Sequence, residues 1–195
     1  MTVGVLALQG AFIEHIGILQ ELGVETKEIR KKTDFDESID GLILPGGEST
    51  TMGKLLHETE LYNPTKNRIL NGMPVFGTCA GMILLAEQIE NSPAVHLGTM
   101  HIAVKRNAYG RQLASFHTYG SFGDLDEIEM PFIRAPYIGS VQKDVEILSA
   151  IDDKIVAARE NNQLATSFHP ELTKDYRIHR YFLDMIKKPL NFKSP

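Results

Sequence analysis

The sequence predicts an α/β fold. One domain over residues 1–195 is expected, built as three layers around an open sheet, mainly parallel with a mixed or antiparallel extension. Three observations carry this expectation. Short apolar runs in the first half each lead into a helical pattern, as right-handed βαβ units do. A strand-to-helix turn with glycine two residues either side of Cys79 sits near the middle of the chain. After Pro93 the pattern changes to strands separated by turns, and no long helix returns until the C-terminal stretch.

Taken in order, residues 3–8 are a continuous apolar run, as expected of a strand covered on both faces. Gln9-Gly10 breaks it. A helix over residues 12–22 follows, with Phe12, Ile16, Leu19 and Gly23 along one face. Residues 24–29 read as a second strand, 33–38 as a polar connection and 41–44 as a third, buried strand. The loop Pro45-Gly46-Gly47-Glu48-Ser49-Thr50-Thr51 leads into a helix with Ser49 or Thr50 as N-cap. Asn63-Pro64 is expected to interrupt, and a further helix ends at Asn71-Gly72. Pro74 to Ala86 then runs from strand through a tight turn into an apolar helix. Strands are predicted over 101–104, 113–122, 132–141 and 155–159, all joining the same sheet. Residues 164–168 form a last strand, and an amphipathic helix over 174–186 closes the chain, with Lys187-Lys188 at its C-terminal end and Pro189 as its stop.

The bulk numbers narrow the function. A length of 195 residues suits one α/β domain with a sizeable core. The net charge is −5 and the only basic clusters are Arg30-Lys31-Lys32 and Lys187-Lys188, which argues against nucleic-acid binding. No segment has the length and apolarity of a membrane span. The first residues read directly as a strand rather than a leader, and a single cysteine permits no internal disulfide, so a cytoplasmic location is expected.

The chemistry concentrates in three places. Gly77-Thr78-Cys79-Ala80-Gly81 is a nucleophile elbow with cysteine at the tip; the glycines relieve crowding there, and the helix N-terminus favours a thiolate. A lone cysteine is more often an inert buried residue, and only this setting lifts it above that reading. His169-Pro170-Glu171 follows a strand end, where a carboxylate two residues on could orient the imidazole; two solvated polar residues are the plain alternative. Active sites of open α/β sheets gather at strand carboxyl ends, where both Cys79 and His169 are expected. Pro45-Gly46-Gly47-Glu48-Ser49 lacks the lysine of a phosphate loop, and its Gly47 N–H could join that of Ala80 as an oxyanion hole. Arg106 and Arg134 could each hold a substrate carboxylate or merely pair with a structural acid. His96, His101 and His117 show no zinc-ligand spacing and read as structural.

These motifs resemble the class I, triad-type glutamine amidotransferases, and within them the glutaminase subunits of pyridoxal 5′-phosphate synthase. The closer resemblance rests on Leu6-Ala7-Leu8-Gln9-Gly10, the Glu48-Ser49-Thr50-Thr51 ending, Arg106 to Gln112, Phe132 to Pro136, and Ala165 to Leu172. It implies a flavodoxin-like fold and a Cys79–His169–Glu171 triad that hydrolyses L-glutamine to glutamate and ammonia. It also implies an oxyanion hole at Gly47 and Ala80, and glutamine-binding positions at Gly47, Glu48, Ser49, Arg106, Ile133 and Arg134. The ammonia would pass to a separate synthase subunit that makes the vitamin B6 cofactor. Gln9 and Gly10 are expected at the docking face. No metal or other cofactor is implied. The chain departs from the family pattern at His101 and His117, where relatives carry acids. The alternatives are a glutaminase subunit of another pathway, such as imidazole glycerol phosphate synthase, a cysteine peptidase-like hydrolase, and a non-catalytic regulatory subunit.

Overall fold

In the computed structural model, which describes residues 1–106 and 115–188, the strands expected in the first half all form, buried on both faces except at the edge strand Glu25–Ile29. They are β1 (Thr2–Leu6), β2 (Glu25–Ile29), β3 (Gly41–Leu44) and β4 (Val75–Thr78), joined through helices α1 (Phe12–Glu21), α2 (Ser49–Glu58) and α3 (Tyr62–Leu70). After β4 come α4 (Ala80–Leu85), β5 (Ala86–Ile89) and β6 (Met100–Lys105). The second half adds β7 (Ser115–Phe122), β8 (Leu125–Ile133), β9 (Tyr137–Val141), β10 (Glu146–Ile151), β11 (Lys154–Glu160), β12 (Gln163–Thr166) and α5 (Arg177–Lys187).

The main sheet runs β2-β1-β3-β4-β12-β11-β9-β6-β5, with β10 alongside β11. From β2 to β12 all pairs are parallel; β11, β9 and β6 continue antiparallel, and β5 lies parallel to β6. This is the mainly parallel sheet with an antiparallel extension that the sequence predicts. Side chains alternate between two cores. Leu42, Leu44 and Val75 face one side with Met52 and Leu56 of α2 and Leu84 of α4. Ile43 and Phe76 face the other with Leu19 of α1 and Ile178 and Phe182 of α5.

Several elements differ from expectation. Asn63-Pro64 lies inside the first turn of α3, where proline's missing N–H has no intrahelical partner to lose; the break falls earlier, at Glu60, with φ 58°. The expected strand over 132–141 is cut by Arg134, whose φ of 45° ends β8, before β9 begins at Tyr137. Strands β5, β8 and β10 extend beyond any strand that the sequence pattern predicts. Strands β7 and β8 do not join the main sheet: among the described residues they pair only with each other. Ile128, Met130 and Phe132, at every second position of β8, pack this ladder onto the α1 and α5 side. On α1 the predicted Phe12, Ile16 and Leu19 pack on the core, Gly23 is exposed, and His15 and Ile18 join the buried face. Residues 107–114, with most of the Arg106–Gln112 motif, and Pro189 lie outside the described residues.

Candidate active site

Four neighbouring parallel strands bring the predicted residues to one end of the sheet. Gln9, Gly10 and Ala11 follow β1, the 45–49 loop follows β3, Cys79 follows β4 and His169 follows β12. Together they border a cleft of about 540 Å3. Gly47, Glu48, Ser49, Arg106, Ile133 and Arg134 line it as well, so the positions expected to bind substrate all converge there. Ala80 and Glu171 do not line it: both are buried just beneath. Ala11, Ile83 and Pro136 also border the cleft; of these only Pro136 lies in a motif singled out from the sequence.

Cys79 is the residue before α4, with φ 49° and ψ −98°, a conformation that L-residues avoid and that marks a strained tip. The strain is held from below. Cys79 N donates to Thr166 O of β12 at 2.7 Å, which ties the elbow to the strand that carries His169. The glycines serve a different contact from the one expected. A Cβ on Gly81 would lie 2.0 Å from Leu44 O, so α4 packs directly onto the backbone of β3. A Cβ on Gly77 would meet Gly81's own backbone at 2.6 Å.

His169 is placed by its own backbone: its N–H donates to Pro131 O of β8 at 2.8 Å. That bond also brings Ile133 and Arg134, just beyond, to the rim. Pro170 opens a 3-10 turn, Pro170–Leu172, and this turn swings Glu171 back under the ring. Glu171 Oε1 lies 2.7 Å from His169 Nδ1, and the Glu171 side chain is wholly buried. Burial alone would lower the His169 pKa. Hydrogen bonds with Cys79 and Glu171, and the charges of those two groups, outweigh it and push it up to about 10. The ring is therefore held as a cation beside the sulfur.

The 45–49 loop is fastened to the end of β1. Ala11 N donates to Gly46 O at 2.9 Å, and Glu48 N donates to Gln9 Oε1 at 2.7 Å. Gly10, at φ 96°, passes so close that a Cβ there would lie 1.8 Å from Gly46 O. Neither Ser49 nor Thr50 caps α2. The cap is Glu48, whose carboxylate accepts from Thr50 N at 3.0 Å and from Thr51 N and Thr51 Oγ1 at 2.7 Å. The Thr51 hydroxyl and the two amides hold that carboxyl down to about 2, against the opposing effect of partial desolvation. The Glu48 side chain is thus engaged in the helix, while its N–H is held by Gln9 and its C=O accepts from Met52 N at 3.0 Å.

His101 and His117, the two departures from the family pattern, each pair with a carboxylate away from the cleft. His101 Nδ1 lies 2.5 Å from Glu160 and His117 Nε2 lies 3.1 Å from Glu129. Among the described residues, no group of three histidine, cysteine or acidic side chains could hold a metal ion. Nor is any described helix long and apolar enough to cross a membrane.

The model of the SNO glutamine amidotransferase family matches residues 5–188. The chain belongs to this family. Among its relatives, the pyridoxal 5′-phosphate synthase subunit PdxT of Desulfitobacterium hafniense is 56% identical over 192 residues, 98% of this chain and 96% of that protein. The protein of the same name from Streptococcus pneumoniae is 56% identical over 191 residues, 96% of this chain and 98% of its own. A crystal structure described as a glutamine amidotransferase superposes with a TM-score of 0.91 at 46% identity, covering 95% of this chain and 98% of its own. A glutamine amidotransferase of Thermotoga maritima, at 14% identity and a TM-score of 0.64 over 96% of this chain and 85% of its own, shares the fold. The glutamine amidotransferase fold that the resemblance implies is therefore the one this chain adopts.

Proposed function

We propose that this glutamine amidotransferase hydrolyses the side-chain amide of L-glutamine with a Cys79–His169–Glu171 triad. The observation that carries the reading is the line from Cys79 to a cationic His169 to a buried Glu171, at the floor of a cleft flanked by Arg106 and Arg134. A Cys79 thiolate paired with the imidazolium attacks the amide carbon. The oxygen that gains charge is met by the N–H groups of Gly47 and Ala80; Ala80 opens α4, so its N–H has no intrahelical acceptor. His169 gives its proton to the nitrogen, ammonia leaves, and a thioester remains on Cys79. Water, losing a proton to His169, then cleaves the thioester and releases glutamate. Arg106 or Arg134 holds the substrate's α-carboxylate, and Ser49 and the Ile133 and Gly47 backbones complete the pocket.

The ammonia is delivered to a pyridoxal 5′-phosphate synthase subunit, in a hetero-oligomer that works in the cytoplasm; the whole chain, residues 1–195, acts as one glutaminase domain. The names of the 56%-identical relatives support this pathway over another amidotransferase. Gln9 and Gly10, which fasten the Gly46-Gly47 loop, face the docked synthase, so docking resets the Gly47 N–H and completes the oxyanion hole. The test is ammonia release from glutamine with and without the synthase, alongside labelling by a glutamine analogue. Turnover should rise on mixing, and Cys79→Ala should abolish labelling. Labelling that persists in Cys79→Ala, or equal turnover with and without synthase, would overturn the respective part.

A further inference from the structure

Beneath the triad lies a set of buried polar groups that the proposed hydrolysis does not use. Glu171 gives Oε1 to His169, but Oε2 is buried without a hydrogen bond. Such an oxygen needs an explanation, because an unpaired buried acceptor is costly. Facing it is His15 of α1, whose Nε2 stands 3.5 Å away. That nitrogen also lies 3.2 Å from Thr78 Oγ1, on the residue just before Cys79. The other ring nitrogen, Nδ1, lies 2.9 Å from Nε2 of His179 on α5. Both rings are wholly buried.

Burial keeps both histidines neutral: that of His15 holds its pKa well below the usual range, with His179 and His169 adding to the effect, and that of His179 lowers its own to about 4. Each ring therefore carries one proton, and two arrangements compete. With the proton on His15 Nδ1, Nε2 would accept from the Thr78 hydroxyl, but its lone pair would also stand 3.5 Å from a carboxylate oxygen in a dry interior. With the proton on Nε2, an N–H faces both Glu171 Oε2 and Thr78 Oγ1, and His179 Nε2–H donates to His15 Nδ1. The second arrangement sets each donor against an acceptor. It leaves the His179 Nδ1 lone pair without a partner, an atom that is indeed buried and unbonded, and gives Glu171 Oε2 the 3.5 Å approach of the His15 N–H.

We propose that His15 is a positioning residue for the triad: as the Nε2–H tautomer, set by His179, it holds Glu171 from behind and keeps Oε1 aligned on His169. This rests on the reading of Cys79, His169 and Glu171 as the triad. The titratable groups that face His15 are Glu171 and His169 from the segment after β12 and His179 from α5; β4 contributes only the Thr78 hydroxyl.

Nitrogen NMR of the histidine rings tests the tautomer in the native protein. His15 should show a protonated Nε2 that does not titrate between about pH 6 and 8. A protonated Nδ1, or a titration in that range, overturns the proposal. Turnover of glutamine by His15→Leu and His15→Gln, each with its synthase, tests the role. His15→Leu should lose roughly 10- to 100-fold in kcat with the glutamine KM nearly unchanged. His15→Gln, whose amide N–H can reach Oε2, should recover most of that loss. A folded His15→Leu with unchanged kcat, or a folded His15→Gln no better than His15→Leu, overturns it. Should His15→Leu not fold, His15→Gln and the tautomer decide. Glu171→Gln separates the two readings: if it leaves turnover intact the triad itself is wrong, whereas if it abolishes turnover that His15→Leu retains, only this proposal falls.

Discussion

Replacing Glu171 by glutamine keeps the shape of the side chain and removes its charge. The carboxylate is wholly buried and sits 2.7 Å from His169 Nδ1, so nothing screens the pair. A hydrogen bond to a charged group in such a place contributes about 1.5–3 kcal/mol. At about 1.36 kcal/mol per pH unit, its loss should bring the His169 pKa down by roughly one to two units from its present value. That value is about 10. The downward pull of burial is unchanged by the substitution, and Cys79 alone remains to oppose it. In the native protein the His169 ring should stay cationic through neutral pH; in the variant its titration should move toward the neutral range. Histidine proton and carbon shifts followed from about pH 6 to 10 would read this directly, and glutamine turnover should fall by roughly tenfold or more over the same samples. A His169 titration that does not move, together with turnover within twofold of native, would refute the argument, because it would mean that Glu171 neither charges nor orients the ring.

Other perturbations follow from the same geometry. Gly46→Ala places a Cβ 2.3 Å from His169 Cε1, backed by the loop's attachment to Ala11, so turnover should drop by about two orders of magnitude in a protein that still shows a native circular dichroism spectrum. Glu48→Ala removes the α2 cap and should cost about 1 kcal/mol, or roughly 2–4 °C in Tm by calorimetry, while Glu48→Gln, which keeps an accepting oxygen, should cost less. His179 has a folded pKa of about 4 against 6.5 unfolded, so the unfolded chain binds more protons between those values. Its contribution to stability is present above pH 6.5 and is lost as pH falls toward 4, on the order of 3 kcal/mol in all. Urea unfolding at several pH values should show that acid loss in the native chain and a shallower one in His179→Phe.

The parts of this molecule legible in the sequence are those where one local pattern has one structural meaning. Strands β1, β3 and β4 are mostly apolar and buried at nearly every position because both faces of the sheet are covered, and the elbow needs its two glycines because backbone meets backbone where α4 leaves β4 and crosses β3. Where a residue's role depends on a partner distant in the chain, the local pattern misleads. Ser49 and Thr50 are the better intrinsic caps, yet Glu48 takes the position because Gln9, 39 residues earlier, holds its N–H and fixes the entry of the loop into α2. Strands β7 and β8 look like further strands of the main sheet, because alternation reports a covered face but not what covers it.

His15 is the sharpest case. In sequence it is one polar residue on an amphipathic helix, indistinguishable from a solvated one. Its neighbours are His179, 164 residues away, and Thr78, 63 away, and they meet only because α1 and α5 cover the same side of β4. The elbow supplies Thr78 and Cys79 on successive positions of one strand end, so they point to opposite sides: the sulfur toward the cleft, the hydroxyl toward the helices. Across Pro170, the 3-10 turn sets His169 at the cleft and Glu171 beneath it. The proposed triad is therefore built through the sheet end rather than on it, with the Cys79 sulfur in the cleft and the Glu171 carboxylate in the core. A carboxylate set so deep needs a neutral donor behind it, because a second cation would compete with His169 for its charge; a neutral histidine held by another neutral histidine meets that requirement.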